Sequence, residues 1–254
     1  MRFVLTFLLL SGSVFAATAA DPDPSQIDSI IAKFAAKEAD FAQARTNYTY
    51  RQTARVMTLD DSGNSTGKWE EVTDIVFSPS GARIEKVTYA PPNTLTAIQL
   101  DPGDVQDLRE IQPFVLTTAE LPKYYIRYLG RDQLDEISCY AFAVKPKKLE
   151  SGKRYFEGEV WVDDRDMQIV KSYGRGVGIT HGDYQYPKFE TYREQIDGKN
   201  WFPTYTIANT TLHFKDNDQR IKETVKYENY KQFKSDIKIK YDTDEKPQPP
   251  EKKP

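Results

Sequence analysis

The side chains that most often carry catalysis are scarce in this sequence. Only two histidines occur, His181 in a glycine-rich stretch and His213 in a strand-like pattern, with no helical His/Glu spacing typical of a zinc site. The Gly-x-Ser-x-Gly motif of serine hydrolases is absent. Cys139, the single cysteine, lies in the apolar run Ile137–Val144 and is interpreted as a buried, inert thiol. No catalytic residue, metal or cofactor is predicted.

A tight cluster of carboxylates, Asp163, Asp164 and Asp166, is the strongest candidate for a metal site. An EF-hand loop needs a glycine at its sixth position and a glutamate at its twelfth. Counted from Asp163, the sixth position is Gln168, so the pattern does not match. The cluster is therefore interpreted as a solvated hairpin turn.

Gly174, Gly176 and Gly178 are spaced like part of a phosphate-binding loop. A dinucleotide-binding loop needs Gly-x-Gly-x-x-Gly between a parallel strand and a helix, and here the third glycine comes one residue early. The residues that follow are poor helix formers. We interpret Gly174–Pro187 as a long flexible loop.

Aromatic side chains are the remaining candidates for a functional site, and the sequence has 16 Tyr, 13 Phe and 3 Trp. One strand-like run begins at Tyr124. Tyr124, Ile126 and Tyr128 share one face of this run, whereas Tyr125 and Leu129 share the other. Strands with large apolar groups on both faces must bury both. Deep concave sites in curled sheets bind apolar ligands, so one such face can line a pocket. The alternative is an ordinary core with cross-strand pairs.

The element that organises the chain is a predicted hairpin over Arg154–Gly174. Two runs rich in Val, Ile, Trp and Tyr flank the Asp-rich turn. In the first run Phe156, Val160 and Val162 share one apolar face, which we expect to meet the core.

The ends of the chain differ in composition from the rest. Residues 1–19 resemble a cleavable signal peptide, with Arg2 before a short apolar stretch and cleavage after Ala16 or Ala19. Residues 20–236 are predicted to form one domain, and the charged, proline-rich residues 237–254 a disordered tail. The protein is therefore expected to be exported, and no later stretch is apolar enough to span a membrane. A net charge of −3 with interleaved signs excludes a nucleic-acid footprint.

Between these ends the pattern predicts one helix followed by a meander of ten or eleven strands. Apolar residues recur at helical spacing over Pro24–Asn47, with Ser25 as the expected N-cap. From Tyr48 onward β-rich runs alternate with short turn sequences, and Thr94–Leu100 is one of these runs. Such a meander favours one large antiparallel sheet, curled or closed.

The least strand-like interior segment is Pro102–Pro113. Val105, Leu108 and Ile111 recur every three residues and predict a short helix. We interpret this insertion, with Phe114 after it, as a lid or plug over the sheet.

Short motifs late in the chain resemble the periplasmic outer-membrane lipoprotein-sorting (LolA-like) superfamily. The element order matches over roughly Ser25–Phe233. The residues that carry the resemblance are Val160-Trp161-Val162-Asp163, then Gln168-Ile169-Val170-Lys171, with Val144-Lys145-Pro146-Lys147 one strand earlier.

The resemblance implies a mainly β (α+β) fold, an unclosed half-barrel with helices on its concave, apolar side. It also implies a periplasmic location and a cavity that holds lipid or lipoprotein acyl chains without catalysis. Carriers in the family keep an arginine on an early strand that hydrogen-bonds the lid. Arg51 and Arg55 are the candidates for that position, and no role is assigned to either.

On this hypothesis specific apolar side chains line the cavity and others form its lid. The expected lining residues are Phe77, Ile84, Ile126, Phe142, Val160 and Val162, and the expected lid residues are Val105, Leu108, Ile111 and Phe114.

Two alternatives remain open from the sequence. The protein could be a structural or interaction module of the envelope that binds a protein partner and whose aromatic faces are all core. It could also be an exported hydrolase in which carboxylates distant in sequence converge. A solid core at the predicted lining residues would favour the first alternative, and carboxylates in a polar cleft the second.

Overall fold

The structure, a computed structural model, describes residues 21–78, 80–179 and 185–232. The predicted signal peptide, the predicted tail and His181 lie outside these residues. In the described part no helix is long and apolar enough to cross a membrane.

Two α-helices and ten β-strands make up the described chain. The helices are α1 (Pro24–Arg45) and α2 (Pro102–Gln106), and α2 continues directly into a π-helical turn over Asp107–Ile111. The strands are β1 (Tyr48–Leu59), β2 (Ser65–Phe77), β3 (Arg83–Tyr89), β4 (Tyr124–Leu134), β5 (Ile137–Pro146), β6 (Tyr155–Asp163), β7 (Ile169–Val177), β8 (Phe189–Gln195), β9 (Trp201–His213) and β10 (Asp218–Gln232).

All ten strands form one antiparallel sheet with the order β3-β2-β1-β10-β9-β8-β7-β6-β5-β4. Strands β1 to β3 form one meander and strands β4 to β10 form another. The last strand, β10, pairs with β1 and so joins the two meanders into one sheet, and this is the only pair of neighbours in the described sheet that is not consecutive in sequence. β3 and β4 are the two edges, and the sheet is therefore unclosed. The predicted class, mainly β with a curled open sheet and few helices, is confirmed.

Helix α1 packs on one face of the sheet, which we call the inner face. Its buried apolar residues are Ile30, Phe34, Ala35 and Phe41. The predicted helix is confirmed, but it ends at Arg45, and the N-cap is Asp23 instead of Ser25. The Asp23 carboxylate accepts from the amide of Gln26 at 2.9 Å, and the Gln26 side chain accepts from the amide of Asp23 at 2.8 Å.

The connection between β3 and β4, residues 90–123, runs from one edge of the sheet to the other across the inner face. The predicted strand over Thr94–Leu100 is wrong, because this stretch is irregular. Pro91 and Pro92 follow β3 after one residue, Ala90, and proline cannot donate to a ladder. The amide of Thr94 still donates to the Lys68 carbonyl at 3.0 Å, which ties the connection to β2.

The hairpin β6–β7 has the predicted orientation, with Phe156, Val160 and Val162 fully buried on the inner face. The flexible loop predicted from Gly174 is wrong at its start, because β7 continues to Val177. Gly174 lies opposite Gly158, and a Cβ on Gly174 would stand 2.7 Å from the Phe156 ring. The glycines of β7 therefore make room for core groups instead of giving the chain flexibility.

The carboxylates of the β6–β7 turn each bind a different partner. Asp163 accepts from the amide of Arg165 at 2.9 Å, Asp164 pairs with Arg131 at 3.0 Å, and Asp166 accepts from the indole of Trp201 at 3.1 Å. Their contacts fix the turn and its neighbours.

Cys139 lies on the opposite, outer face of the sheet. It packs with Ala141, Trp161 and Val170 and is fully buried. Burial raises the pKa of its thiol to about 12. The thiol is therefore protonated at neutral pH and poorly nucleophilic.

Candidate ligand cavity

Residues 97–116, which we call the covering segment, lie over the inner face. Leu108, Ile111, Phe114 and Leu116 are buried and belong to the cores beneath. The π-helical turn is closed by the amide of Gln112, which donates to the Asp107 carbonyl at 2.9 Å. The wider turn projects Leu108 and Ile111 toward the sheet while Asp107 also points inward.

Backbone carbonyls of the covering segment accept hydrogen bonds from inner-face side chains. Gln52 of β1 donates to Leu108 at 3.1 Å, Thr191 of β8 donates to Gln112 at 2.8 Å, and Arg193 of β8 donates to Phe114. The segment is therefore attached to the sheet in two ways. Three separate hydrogen bonds hold its backbone, and its four apolar side chains are buried in the cores beneath.

One of its side chains forms a buried ion pair. Asp107 accepts from Arg154 at 2.8 Å and 2.5 Å, and both side chains are at most one-tenth exposed. The Tyr186 ring lies 3.7 Å from the guanidinium carbon. A side chain at Gly176 would collide with this pair, so the glycine in β7 leaves the space that the pair fills.

A second buried ion pair joins α1, β8 and the covering segment. Arg193 donates to both oxygens of Glu38 at 3.0 Å and 3.2 Å, and the amide of Ile169 also donates to Glu38 at 3.0 Å. Because Arg193 also binds the Phe114 carbonyl, one guanidinium holds the helix and the segment in place.

Beneath the covering segment lies a cavity of about 290 Å³. On the sheet side it is bounded by β1, β8, β9 and β10, and residues 185–187 close one end. Its apolar lining consists of Val56, Ala97, Ile98, Leu100, Leu108, Pro187, Phe189, Leu212, Phe214 and Ile221.

One wall of the cavity is polar. It contains Asp104, Asp107, Gln112 and Glu223, and the amide nitrogen of Gln112 donates to Glu223. Burial raises the pKa of Glu223 to about 7 and that of Asp104 to about 6. Both carboxyl groups therefore change charge near neutral pH, at the polar wall of a mainly apolar cavity.

A second, more open cleft of about 710 Å³ lies on the other side of residues 185–187. Its lining includes Lys145, Glu157 and Arg175, which pair with one another at 3.4 Å and 3.6 Å. Glu157 compensates only one of the two cations, so the cleft keeps a positive charge, and it is more open to solvent than the cavity beneath the covering segment. The smaller cavity is the better candidate for a ligand.

The predicted lining residues lie elsewhere on the sheet. Phe142, Val160 and Val162 are fully buried in the core, where Phe142 packs against Phe34 of α1 at a ring distance of 5.3 Å. Ile126 and Phe77 are half-buried on β4 and β2, and Ile84 on the edge strand β3 is 48% exposed. None of the six lines the cavity.

The predicted lid residues all belong to the covering segment, and of these Leu108 lines the cavity. Ile111 and Phe114 pack into the core beside it, and Val105 lies over β1 and β2. The arginines singled out for the lid position do not contact the segment, because Arg51 pairs with Asp74 and Arg55 with Glu70. Arg154 and Arg193 bind it instead.

Sequence reasoning missed Glu38 and Glu223, although both leave a signal. Glu38 falls on the apolar stripe of α1, four residues after Phe34 and three before Phe41. Glu223 alternates in phase with the apolar Ile221 and Val225 on β10. A carboxylate in step with core residues indicates an inward-facing charge that needs a partner.

Neither a protein-family model nor a curated protein matches this chain. Among solved structures, the chain is similar to a DUF1329 family protein from Desulfovibrio piger, with 12% identity and a TM-score of 0.44. That match covers 84% of this chain and 94% of the other.

Two further solved structures carry the name of the superfamily that the hairpin motif resembles. One is a LolA superfamily protein from Nitrosomonas europaea, 13% identical, with a TM-score of 0.36 over 81% of this chain and 93% of the other. The second is a putative outer membrane lipoprotein-sorting protein domain from Vibrio parahaemolyticus, 10% identical, with a TM-score of 0.36 over 79% of this chain and 93% of the other.

Proposed function

We propose that this protein is a non-enzymatic binding protein of the periplasm, exported through a cleaved signal peptide. It holds the apolar chain of a lipid or of a lipidated protein in the cavity beneath the covering segment, in the trafficking of envelope lipids or lipoproteins. The observation that carries the proposal is the cavity itself, with its mainly apolar lining under a segment anchored at separate polar points.

The size of the cavity suits a short stretch of alkyl chain. A methylene group fills about the volume of a water molecule, roughly 30 Å³. The cavity of about 290 Å³ therefore accepts on the order of ten methylenes. Each buried methylene contributes about 0.8 kcal/mol, so such a chain binds without any catalytic group.

The proposal is tested by titrating decanol, a neutral ten-carbon amphiphile, into the mature protein by calorimetry. We expect saturable binding that is lost in Leu212→Trp, because the indole would fill the cavity. The matched control is Leu129→Trp on the outer side of edge strand β4, where Leu129 is 38% exposed. Equal decanol binding by both variants would refute the proposal, as would a wild-type protein that binds neither decanol nor its ten-carbon amine and carboxylate counterparts, decylamine and decanoate.

A second candidate is an exported hydrolase, favoured by the two carboxyl groups of raised pKa in one cavity. This hypothesis predicts turnover of chromogenic esters or glycosides that Glu223→Gln abolishes. The binding proposal predicts no turnover by either protein.

The solid packing around Phe142 and Val160 favours a third candidate, an interaction module of the envelope. It requires no ligand and predicts a protein partner instead. Failure of the decanol titration, together with retained fold, would support this candidate.

A further inference from the structure

We propose that the cavity selects amphiphiles whose polar end is an ammonium group, bound by Glu223, Asp104 and Gln112. This inference rests on the proposed function and specifies the chemical class of its ligand. A ligand of this class places its alkyl chain against Leu212, Ile221 and the other apolar lining residues.

Above pH 7, where Glu223 and Asp104 are both ionised, the polar wall carries negative charge in excess of the cations beside it. Arg154 neutralises Asp107, but no basic side chain in the described chain forms an ion pair with Glu223 or Asp104. Buried carboxylates are normally paired with a cation or kept protonated. A ligand ammonium would supply the missing cation.

Gln112 gives a second and independent indication. It is 2% exposed and lines the cavity, and its amide oxygen has no hydrogen-bond partner among residues 21–78, 80–179 and 185–232. Its amide nitrogen is used by Glu223, which fixes the orientation of the group. An unsatisfied buried acceptor destabilises the protein, and a donor on the ligand would remove that penalty.

The Gln112 oxygen, which lacks a partner among the described residues, is an acceptor, as are the carboxylates of Glu223 and Asp104, whereas an ammonium group has three N–H donors. One ammonium can therefore bind the Glu223 carboxylate and the Gln112 oxygen while it is attracted by Asp104. A fatty-acid carboxylate at the same place would add a further negative charge beside Glu223, so the wall excludes anionic amphiphiles. Neutral alcohols offer a single donor and no charge.

The test compares decylamine, decanol and decanoate, three ligands with the same number of carbon atoms, by calorimetry at pH 8. Decylamine is cationic at this pH, since alkylammonium groups titrate near the value of lysine, about 10.4. We expect wild-type protein to bind decylamine at least tenfold more tightly than decanol, and decanoate at least tenfold more weakly. In Glu223→Gln the ratio of amine to alcohol affinity falls severalfold, and the preference that remains is due to Asp104.

Glu228→Gln is the matched control, because Glu228 lies on the same strand with an exposed side chain and should leave the ratio unchanged. If decanol binds but decylamine binds no more tightly, the ammonium proposal is wrong and the proposed function stands. If none of the three ligands binds, the proposed function itself fails.

Discussion

Buried charges on the inner face differ in how they are compensated. Glu38 has a guanidinium within hydrogen-bonding distance, whereas Glu223 is hydrogen-bonded, within the part of the chain that the structure describes, only by the amide of Gln112. The first arrangement stabilises the fold, because removing either partner leaves the other charge buried and unpaired. In the second arrangement the carboxyl group of Glu223, whose pKa is raised, borders a cavity, and carboxyl groups in such positions are candidates for ligand binding.

The pKa of Glu223 makes stability depend on pH. The folded protein holds this proton up to about pH 7, whereas the unfolded chain releases it near the ordinary glutamate pKa of 4.5. The stabilisation is therefore complete below pH 4.5 and lost as the pH rises through 7. Glu223→Gln should reduce the fall in unfolding free energy between pH 5 and pH 8 by about 2–3 kcal/mol. Urea unfolding at the two pH values measures this, and Asp104 accounts for part of the remaining slope. An unchanged slope in the variant contradicts the assignment.

The ion pair of Glu38 and Arg193 predicts a large mutational effect. Glu38→Ala leaves a buried guanidinium without its carboxylate and should cost about 3–5 kcal/mol in urea unfolding. Arg51→Ala breaks a pair whose side chains are 43% and 39% exposed and should cost at most about 1 kcal/mol. The double change Glu38→Leu with Arg193→Leu should recover only part of the loss, because the Phe114 carbonyl and the Ile169 amide also lose these partners. Equal costs for the two single changes would show that the buried pair does not anchor the helix.

At the scale of elements, the glycines of β7 determine how closely the hairpin can pack. Gly174→Ala would bring a Cβ into the Phe156 ring and should destabilise the protein by about 3 kcal/mol. Gly152→Ala, in open space at φ +72°, should cost only about 1 kcal/mol of backbone strain. Thermal unfolding of both variants distinguishes a packing requirement from general glycine flexibility, and equal costs would argue against the packing requirement.

The covering segment is expected to open without unfolding the sheet. Asp107→Asn weakens the pair with Arg154, so amide exchange over residues 102–112 should accelerate about tenfold while α1 keeps its protection. The matched control is Arg109→Ala, which removes the half-exposed pair with Glu85 and should have a smaller effect. Exchange that rises equally in α1 would mean that the segment and the helix open together.

How far the sequence predicts these elements depends on the range of the interactions involved. Helical periodicity places α1, alternation places most strands, and three-residue spacing identifies the helix over Pro102–Ile111. The strand predicted over Thr94–Leu100 fails because Ala97, Ile98 and Leu100 line a cavity instead of packing beside a neighbouring strand. The loop predicted from Gly174 fails because a close ring contact, unseen in one sequence, accounts for the glycines.

At the scale of the whole molecule, the order of the strands explains where the cavity lies. Since β10 pairs with β1, the connection from β3 to β4 has to cross the full width of the sheet. It thereby covers the inner face between β1 and β8, away from the Phe142 and Val160 region where the sequence predicts the lining. The meander could be predicted from turn signals, but the β1–β10 pairing joins residues about 170 apart and leaves no local pattern.

The central claim is that the cavity holds an alkyl chain, and native mass spectrometry of protein purified from its own envelope tests it most directly. We predict a co-purifying alkyl-containing species on the wild-type protein and on Leu129→Trp, and its absence from folded Leu212→Trp. Ligand-free wild-type protein that also fails to bind any of the ten-carbon probes would contradict the claim.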